Sequence, residues 1–458
     1  MRLEPPPTFP ARASLAGFGT LVFAVTAALL AGCSGPAPQH HGSPGPTAPE
    51  VAGGHPAVDA APASGLADGE FHLIVSGLRA GEQVQVEAQA TDATGEAWRS
   101  DATFAADARG QVNLDHSAPL AGSYSGIDPA GLLWSMHPSN GTDPRLAFFV
   151  PPRPGWKVTL TVRAAGRLIG VIAVRRLMEG PGVSEHPVSL AGAGFAGDYF
   201  APRATPSGRP GVLVIGGSDP GMQVPIDAAA LLASHGVPAL AVCYFGCPGL
   251  PANLDRIPME YFVRALRWLA ARPGVDPGRL WVVGISRGSE AALLLGAYFP
   301  QMVHGVVGEV PSDVVNEALV GFRPVDQSAW TLGGRQLPFT RQFGNPHPTD
   351  VPKAVIPVQR IAGPVLLIAA ADDQLWPSPA YSQAIMDRLS AYHRPFPRRL
   401  LNLPDAGHDI AEMVPNLPAG TSTFFQGHIY SLGGTRASNQ AAKVIAWNAL
   451  LRTLAASG

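Results

Sequence analysis

Long basic runs are missing from this 458-residue sequence, and charge of either sign is scarce. Asp, Glu, Lys and Arg make up 14% of the chain, and the formal net charge is −2. A protein that neutralises nucleic-acid phosphates needs a concentrated basic surface, so no nucleic-acid partner is expected. Cysteine is almost absent too: Cys33, Cys243 and Cys247 are the 3 copies. No further ligands crowd around them, so the sequence implies no metal site, and no motif calls for an organic cofactor. What the chain does have is apolar residues, 46% of the total. That is enough for two or three cored domains and excludes disorder throughout.

After Arg2 and Arg12 comes the run LAGFGTLVFAVTAALLAGC, the apolar region of an export signal. Its end, Leu30-Ala31-Gly32-Cys33, has the form of a lipoprotein box. Residues 1–33 are therefore expected to be a signal peptide and Cys33 the lipidated residue; an ordinary signal peptide or a single membrane anchor is the other reading. Either way the body is exported. Through the lipid it would sit on the periplasmic side of a bacterial membrane, the outer one favoured by Ser34. With Cys33 assigned to lipid, Cys243 and Cys247 are left as a disulfide pair or as two structural thiols. Residues 34–65 are rich in Pro, Gly and Ala and hold His40, His41 and His55. They cannot bury enough surface to offset ordering entropy, which predicts a disordered tether with solvated histidines.

From 66 to 180 the runs FHLIVSGL, EQVQVEAQATD, WRSDATFAAD, LAFFVPP, WKVTLTVRAAG and RLIGVIAVRRL lie between Gly, Asp and Pro punctuation. Their spacing predicts an antiparallel β-sandwich, with Trp134 and His137 packing inside it. From 189 to 458 the pattern changes. PGVLVIGG, PALAVCYFG, RLWVVGIS, HGVVGEVPS, PVLLIAAADD and RRLLNLPDAGH are apolar runs of the kind buried in a parallel sheet, with helical stretches such as VPIDAAALLASHG and MEYFVRALRWLAARP between them. The expectation is a doubly wound α/β domain whose site lies at the carboxyl ends of its strands.

Gly284, Ser286 and Gly288 form G-x-S-x-G, a weak signal alone in a chain with 52 glycines. Its setting is stronger: an apolar strand ends at Gly284 and a helix begins after the serine, which is the nucleophile elbow. A serine there can also be a simple helix cap. A nucleophilic serine needs a base and an acid that orients the base. Asp372-Asp373 ends the next strand run but one, and His408 follows the last, in the chain order of an α/β-hydrolase. Asp373 is preferred to Asp372 as the acid, and His428 is the reserve histidine. The oxyanion donors are expected to be the backbone N–H of Arg287 and those of Gly217 and Ser218 after the strand GVLVIGG. The Arg287 side chain is expected on the surface, and Glu290 beside some buried polar group.

With GISRGSE, the segments ADARGQVNL, GSYSGIDPAGLLWSM, MEYFVRALRWL, IPVQRIAGPVLLIAAADDQLWPS and GGTRASNQAAKVIAWNALL resemble those of one family. It is the acyl-CoA thioesterase and bile acid-CoA:amino acid N-acyltransferase family, and the resemblance runs from about Leu66 to Leu451. It implies an N-terminal β-sandwich joined to a C-terminal α/β-hydrolase domain, with Ser286, Asp373 and His408 as nucleophile, acid and base. Members that transfer acyl groups to amino acids carry cysteine at the nucleophile position, so Ser286 implies hydrolysis. The expected partner is a small acyl thioester or ester. The other readings are an exported carboxylesterase, an N-acyltransferase, and a non-catalytic lipoprotein that binds an acylated ligand.

Overall fold

The computed structural model describes residues 55–204, 206–425 and 427–456. Cys33, the expected signal peptide, and His40 and His41 of the expected tether lie outside them. The described residues belong to one compact unit.

In the N-terminal part, the strands Gln83–Thr91 and Ala97–Ala105 alternate exposed and buried side chains along their length. A period of 2 puts one face of each in the core. The turn between them is held by Asp92, whose carboxylate accepts from the amides of Thr94 and Glu96 and from the Trp98 indole. Together with Gly155–Ala164 and Arg167–Leu177 they form the body of a 7-stranded sheet, accompanied by a 3-stranded one. Leu73, Val75 and Val112 of the smaller sheet and Val84, Val86, Phe104, Val158 and Leu160 of the larger are buried in one core.

Two expectations are corrected here. The last described residues of the expected tether, from 55 on, are ordered: Ala57–Ala61 pairs antiparallel with His72–Ser76, and Ser64–Leu66, which begins within it, lies on the edge of the larger sheet. The backbone ladder holds them, and Val58, Ala60 and Leu66 pack against the core. LAFFVPP is not a strand. A short 3-10 turn, Pro144–Leu146, leads into irregular chain. Prolines at 151, 152 and 154 remove ladder donors. Phe149 nevertheless packs on Trp98 and Trp156.

The C-terminal part is built on 8 strands: β1 (Val183–Val188), β2 (Ala196–Pro202), β3 (Arg209–Ile215), β4 (Ala239–Cys243), β5 (Val275–Ile285), β6 (Gly305–Glu309), β7 (Val365–Ala370) and β8 (Arg398–Leu403). They are ordered 1-2-4-3-5-6-7-8. Every residue of β4, β6 and β7 is buried, as apolar strands covered on both faces must be. The sheet is not parallel throughout: β2 runs antiparallel to both β1 and β4. The main helices are α1 (Gln223–Ser234), α2 (Met259–Ala270), α3 (Arg287–Tyr298), α4 (Ser378–Ala391) and α5 (Arg436–Ala456). Among the described residues no helix is long and apolar enough to cross a membrane.

Candidate active site

Ser286 joins β5 to α3 at φ +52° and ψ −119°, a region that L-residues enter only when the surroundings force them. The flanking glycines show what does the forcing. A Cβ on Gly284 would lie 2.2 Å from the Gly288 carbonyl oxygen, and one on Gly288 2.2 Å from that of Gly216. The serine's own backbone is pinned twice: its N–H donates to Glu309 O at 2.9 Å, and its carbonyl accepts from Ser289 Oγ at 2.6 Å.

His408 follows β8, and its backbone N–H donates to Leu432 O at 2.6 Å. Its Nε2 is 3.0 Å from Ser286 Oγ, while its Nδ1 is 3.1 and 2.9 Å from the two carboxylate oxygens of Asp373. Asp373 is held in turn by the amides of Leu375 and Trp376 and by Ser378 Oγ at 2.7 Å. The Trp376 ring stands edge-on to His408, with centroids 5.7 Å apart. The three side chains thus form one continuous chain of hydrogen bonds, in which Ser286 is 8% and His408 5% exposed. Asp372 points elsewhere, accepting from the Gly434 amide at 2.8 Å and from Gln374 Nε2. His428 lies on the exposed strand His428–Ser431, paired with Ser422–Phe425, and does not join this chain.

The loop after β3 runs against Ser286: a Cβ on Gly217 would lie 3.2 Å from Ser286 Cβ. Ser218 follows on the same loop, and Arg287 opens α3. The Arg287 side chain corrects an expectation, for it is buried. Its Nε lies 2.9 Å from Glu290 Oε1, and its Nη2 donates to the carbonyls of Asn316 and Glu317. Glu290 also accepts from Asn316 Nδ2 at 2.8 Å and Trp330 Nε1 at 2.9 Å. Glu290 lies beside buried polar groups as expected, but its partners were not legible in the sequence, because Asn316, Glu317 and Trp330 come from the long connection between β6 and β7. The one local signal was a charged pair three residues apart in an otherwise apolar helix. A second pairing was not legible either: Lys443 on α5 pairs with Asp409, the residue after His408, at 2.9 Å, both buried. Nearby, burial pushes the Glu309 carboxyl up to about 8, with Lys443 opposing the shift.

Elsewhere Trp134 is buried and its indole donates to Asp128, while His137 is half-buried and burial lowers its pKa. Cys243 and Cys247 form a disulfide. Among the described residues no group of His, Cys, Asp and Glu has the arrangement of a metal site.

A serine on a strained strand-to-helix turn, facing a histidine and an aspartate from the ends of later strands of this sheet, defines an α/β-hydrolase. Two family models match the chain: the acyl-CoA thioester hydrolase/BAAT N-terminal region over residues 68–190, and the BAAT/acyl-CoA thioester hydrolase C-terminal region over 257–456. The chain belongs to the family of acyl-CoA thioesterases and bile acid-CoA:amino acid N-acyltransferases. Its relatives include acyl-coenzyme A thioesterase 6 of Mus musculus, 28% identical over 83% of this chain and 91% of that protein, and the Homo sapiens counterpart, 27% identical with the same coverage. Acyl-coenzyme A amino acid N-acyltransferase 2 of Rattus norvegicus is 27% identical over 85% of this chain and 94% of that protein.

Proposed function

We propose that the protein hydrolyses acyl thioesters, acyl-CoA among them, through a serine acyl-enzyme. The observation that carries this reading is the unbroken line from Ser286 Oγ through the His408 ring to Asp373, in a member of a thioester hydrolase family. His408 Nε2 takes the hydroxyl proton as Ser286 attacks the acyl carbonyl. Asp373 holds the imidazole by Nδ1 and stabilises the cation that forms. The developing oxyanion is met by backbone amides of Arg287 and of the Gly217–Ser218 loop. Collapse releases the thiol, protonated by His408; water, activated by the same ring, then frees the acid. A serine acyl-enzyme is an ester that water finishes readily, whereas a cysteine one would remain an activated thioester open to amines. Serine at position 286 therefore favours hydrolysis over transfer.

Placement outside the inner membrane, on a lipid at Cys33, is part of the same proposal. The Cys243–Cys247 disulfide supports it, because such bonds persist in oxidising compartments.

The test is hydrolysis of matched acyl-CoA and p-nitrophenyl esters by the wild type and by Ser286→Ala. The expected outcome is faster thioester turnover that falls at least about 1,000-fold in the variant. Preference for the oxygen ester would make the protein an exported carboxylesterase. Equal turnover in the two proteins would end the serine-hydrolase reading, and no turnover in either would favour a binding lipoprotein.

A further inference from the structure

The oxyanion donors on the Gly217–Ser218 loop must point their N–H bonds at the reacting carbonyl, and something has to fix that direction. Tyr244, the residue after β4, is 2% exposed, and its hydroxyl lies 2.9 Å from the carbonyl oxygen of Gly216 and 2.5 Å from that of Gly217. In a trans peptide unit, the C=O of one residue and the N–H of the next share a plane and point in opposite directions. The Gly216 carbonyl is therefore the far end of the Gly217 N–H, and the Gly217 carbonyl the far end of the Ser218 N–H. The one hydroxyl proton, shared between the two carbonyls, draws both toward Tyr244 and so turns both N–H groups to the other side.

The tyrosine itself is immobilised. Its ring packs against Phe245, Phe262 and Trp330 at centroid distances of 5.0, 5.4 and 5.8 Å. Burial pushes its pKa up, so the hydroxyl keeps the proton it donates. The turn that begins with it is closed by the Cys243–Cys247 disulfide. That turn also grips the far end of the oxyanion loop: Phe245 O accepts from the Gly221 amide at 3.1 Å, and a Cβ on Gly246 would lie 2.4 Å from Pro220 Cβ.

We propose that Tyr244 is a positioning residue, orienting the Gly217 and Ser218 amides toward the oxyanion from a turn braced by the Cys243–Cys247 disulfide. This rests on the serine-hydrolase reading above. Tyr244→Phe keeps the ring and removes the hydroxyl alone. With an acyl-CoA substrate the variant is expected to lose about 10- to 100-fold in kcat while KM changes less than about 3-fold, since oxyanion donors act mainly in the transition state. Inhibition by a trifluoromethyl ketone thioether, whose adduct with Ser286 is tetrahedral, should weaken by the factor lost from kcat/KM. Binding of a non-hydrolysable thioether analogue should not change. A merely structural role would move neither of the first two measurements in folded protein. Cys243→Ser/Cys247→Ser is expected to shift kcat the same way by a smaller factor, and it carries the test should Tyr244→Phe not fold. A folded variant whose kcat stays within about 2-fold of wild type overturns the inference. Absence of Ser286-dependent turnover in the wild type overturns the hydrolase reading instead.

Discussion

Two adjacent aspartates, Asp372 and Asp373, have the same chemistry and different work. Asp373 faces His408 Nδ1 and is itself held by two amides and a hydroxyl, whereas Asp372 ties its loop to the Gly434 amide. Replacing Asp373 by Asn leaves the geometry but offers the ring a donor in place of an acceptor, which favours the wrong tautomer. Asp373→Asn is expected to lower kcat about 10,000-fold. Asp372→Asn, which touches no reacting group, is expected to stay within a few-fold. Steady-state thioesterase assays on the two variants side by side check both, and similar losses would remove the distinction. At this scale the sequence was most readable where a residue's job depends on its immediate neighbours. Gly284 and Gly288 announce the turn at Ser286, and strand ends announce Asp373 and His408. Tyr244 could not be read, because its hydroxyl acts on Gly216 and Gly217, 28 and 27 positions away.

Among the elements, the buried strands β3 to β7 are runs of apolar residues and could be recognised as such. β1 carries Ser184, Glu185 and His186 on an exposed edge and offers no such pattern. The connection between β6 and β7 holds short strands, Glu317–Val320 with Arg323–Ser328 and Trp330–Leu332 with Arg335–Gln336, too short for a periodicity to mark them. It is pinned to the elbow helix through Arg287 and Glu290, which links the integrity of that connection to Ser286 next door. Removing one partner leaves the other charge buried without its counter-ion. Arg287→Met is accordingly expected to cost about 3–5 kcal/mol in urea unfolding, and Arg287→Met/Glu290→Gln to recover part of it. Equal losses in the single and double variants would show that the two charges do not depend on each other.

For the whole molecule, a boundary that a composition shift suggests is bridged by shared core and by side chains. Val84 and Leu160 of the sandwich sit in the same buried cluster as Ala228 and Leu231 of α1 and Trp447 of α5. The Arg436 guanidinium donates to the carbonyls of Trp134 and Ser135 across the junction. Asp68, from the sandwich side, accepts from Trp447 Nε1 at 2.6 Å and meets His235 Nε2, at the end of α1, at 2.5 Å. None of this long-range pairing could be read from sequence, because each bond joins segments more than 150 residues apart. The hydrogen bond that His235 donates to Asp68, helped by the carboxylate's charge and opposed by burial, raises the His235 pKa above its ordinary 6.5. A group whose folded pKa is raised stabilises the fold fully below its unfolded pKa and loses that contribution as pH rises through the folded one. The junction should therefore be strongest below about pH 6.5 and weaken above it. His235→Gln is expected to lower the unfolding temperature most at pH 5.5–6, with the gap to wild type closing toward pH 9. Because the core is shared, both proteins should unfold in one calorimetric transition at every pH. A gap that stays constant with pH would remove the charged pair from the account, and two separate transitions would mean that sandwich and hydrolase sheet do not depend on each other.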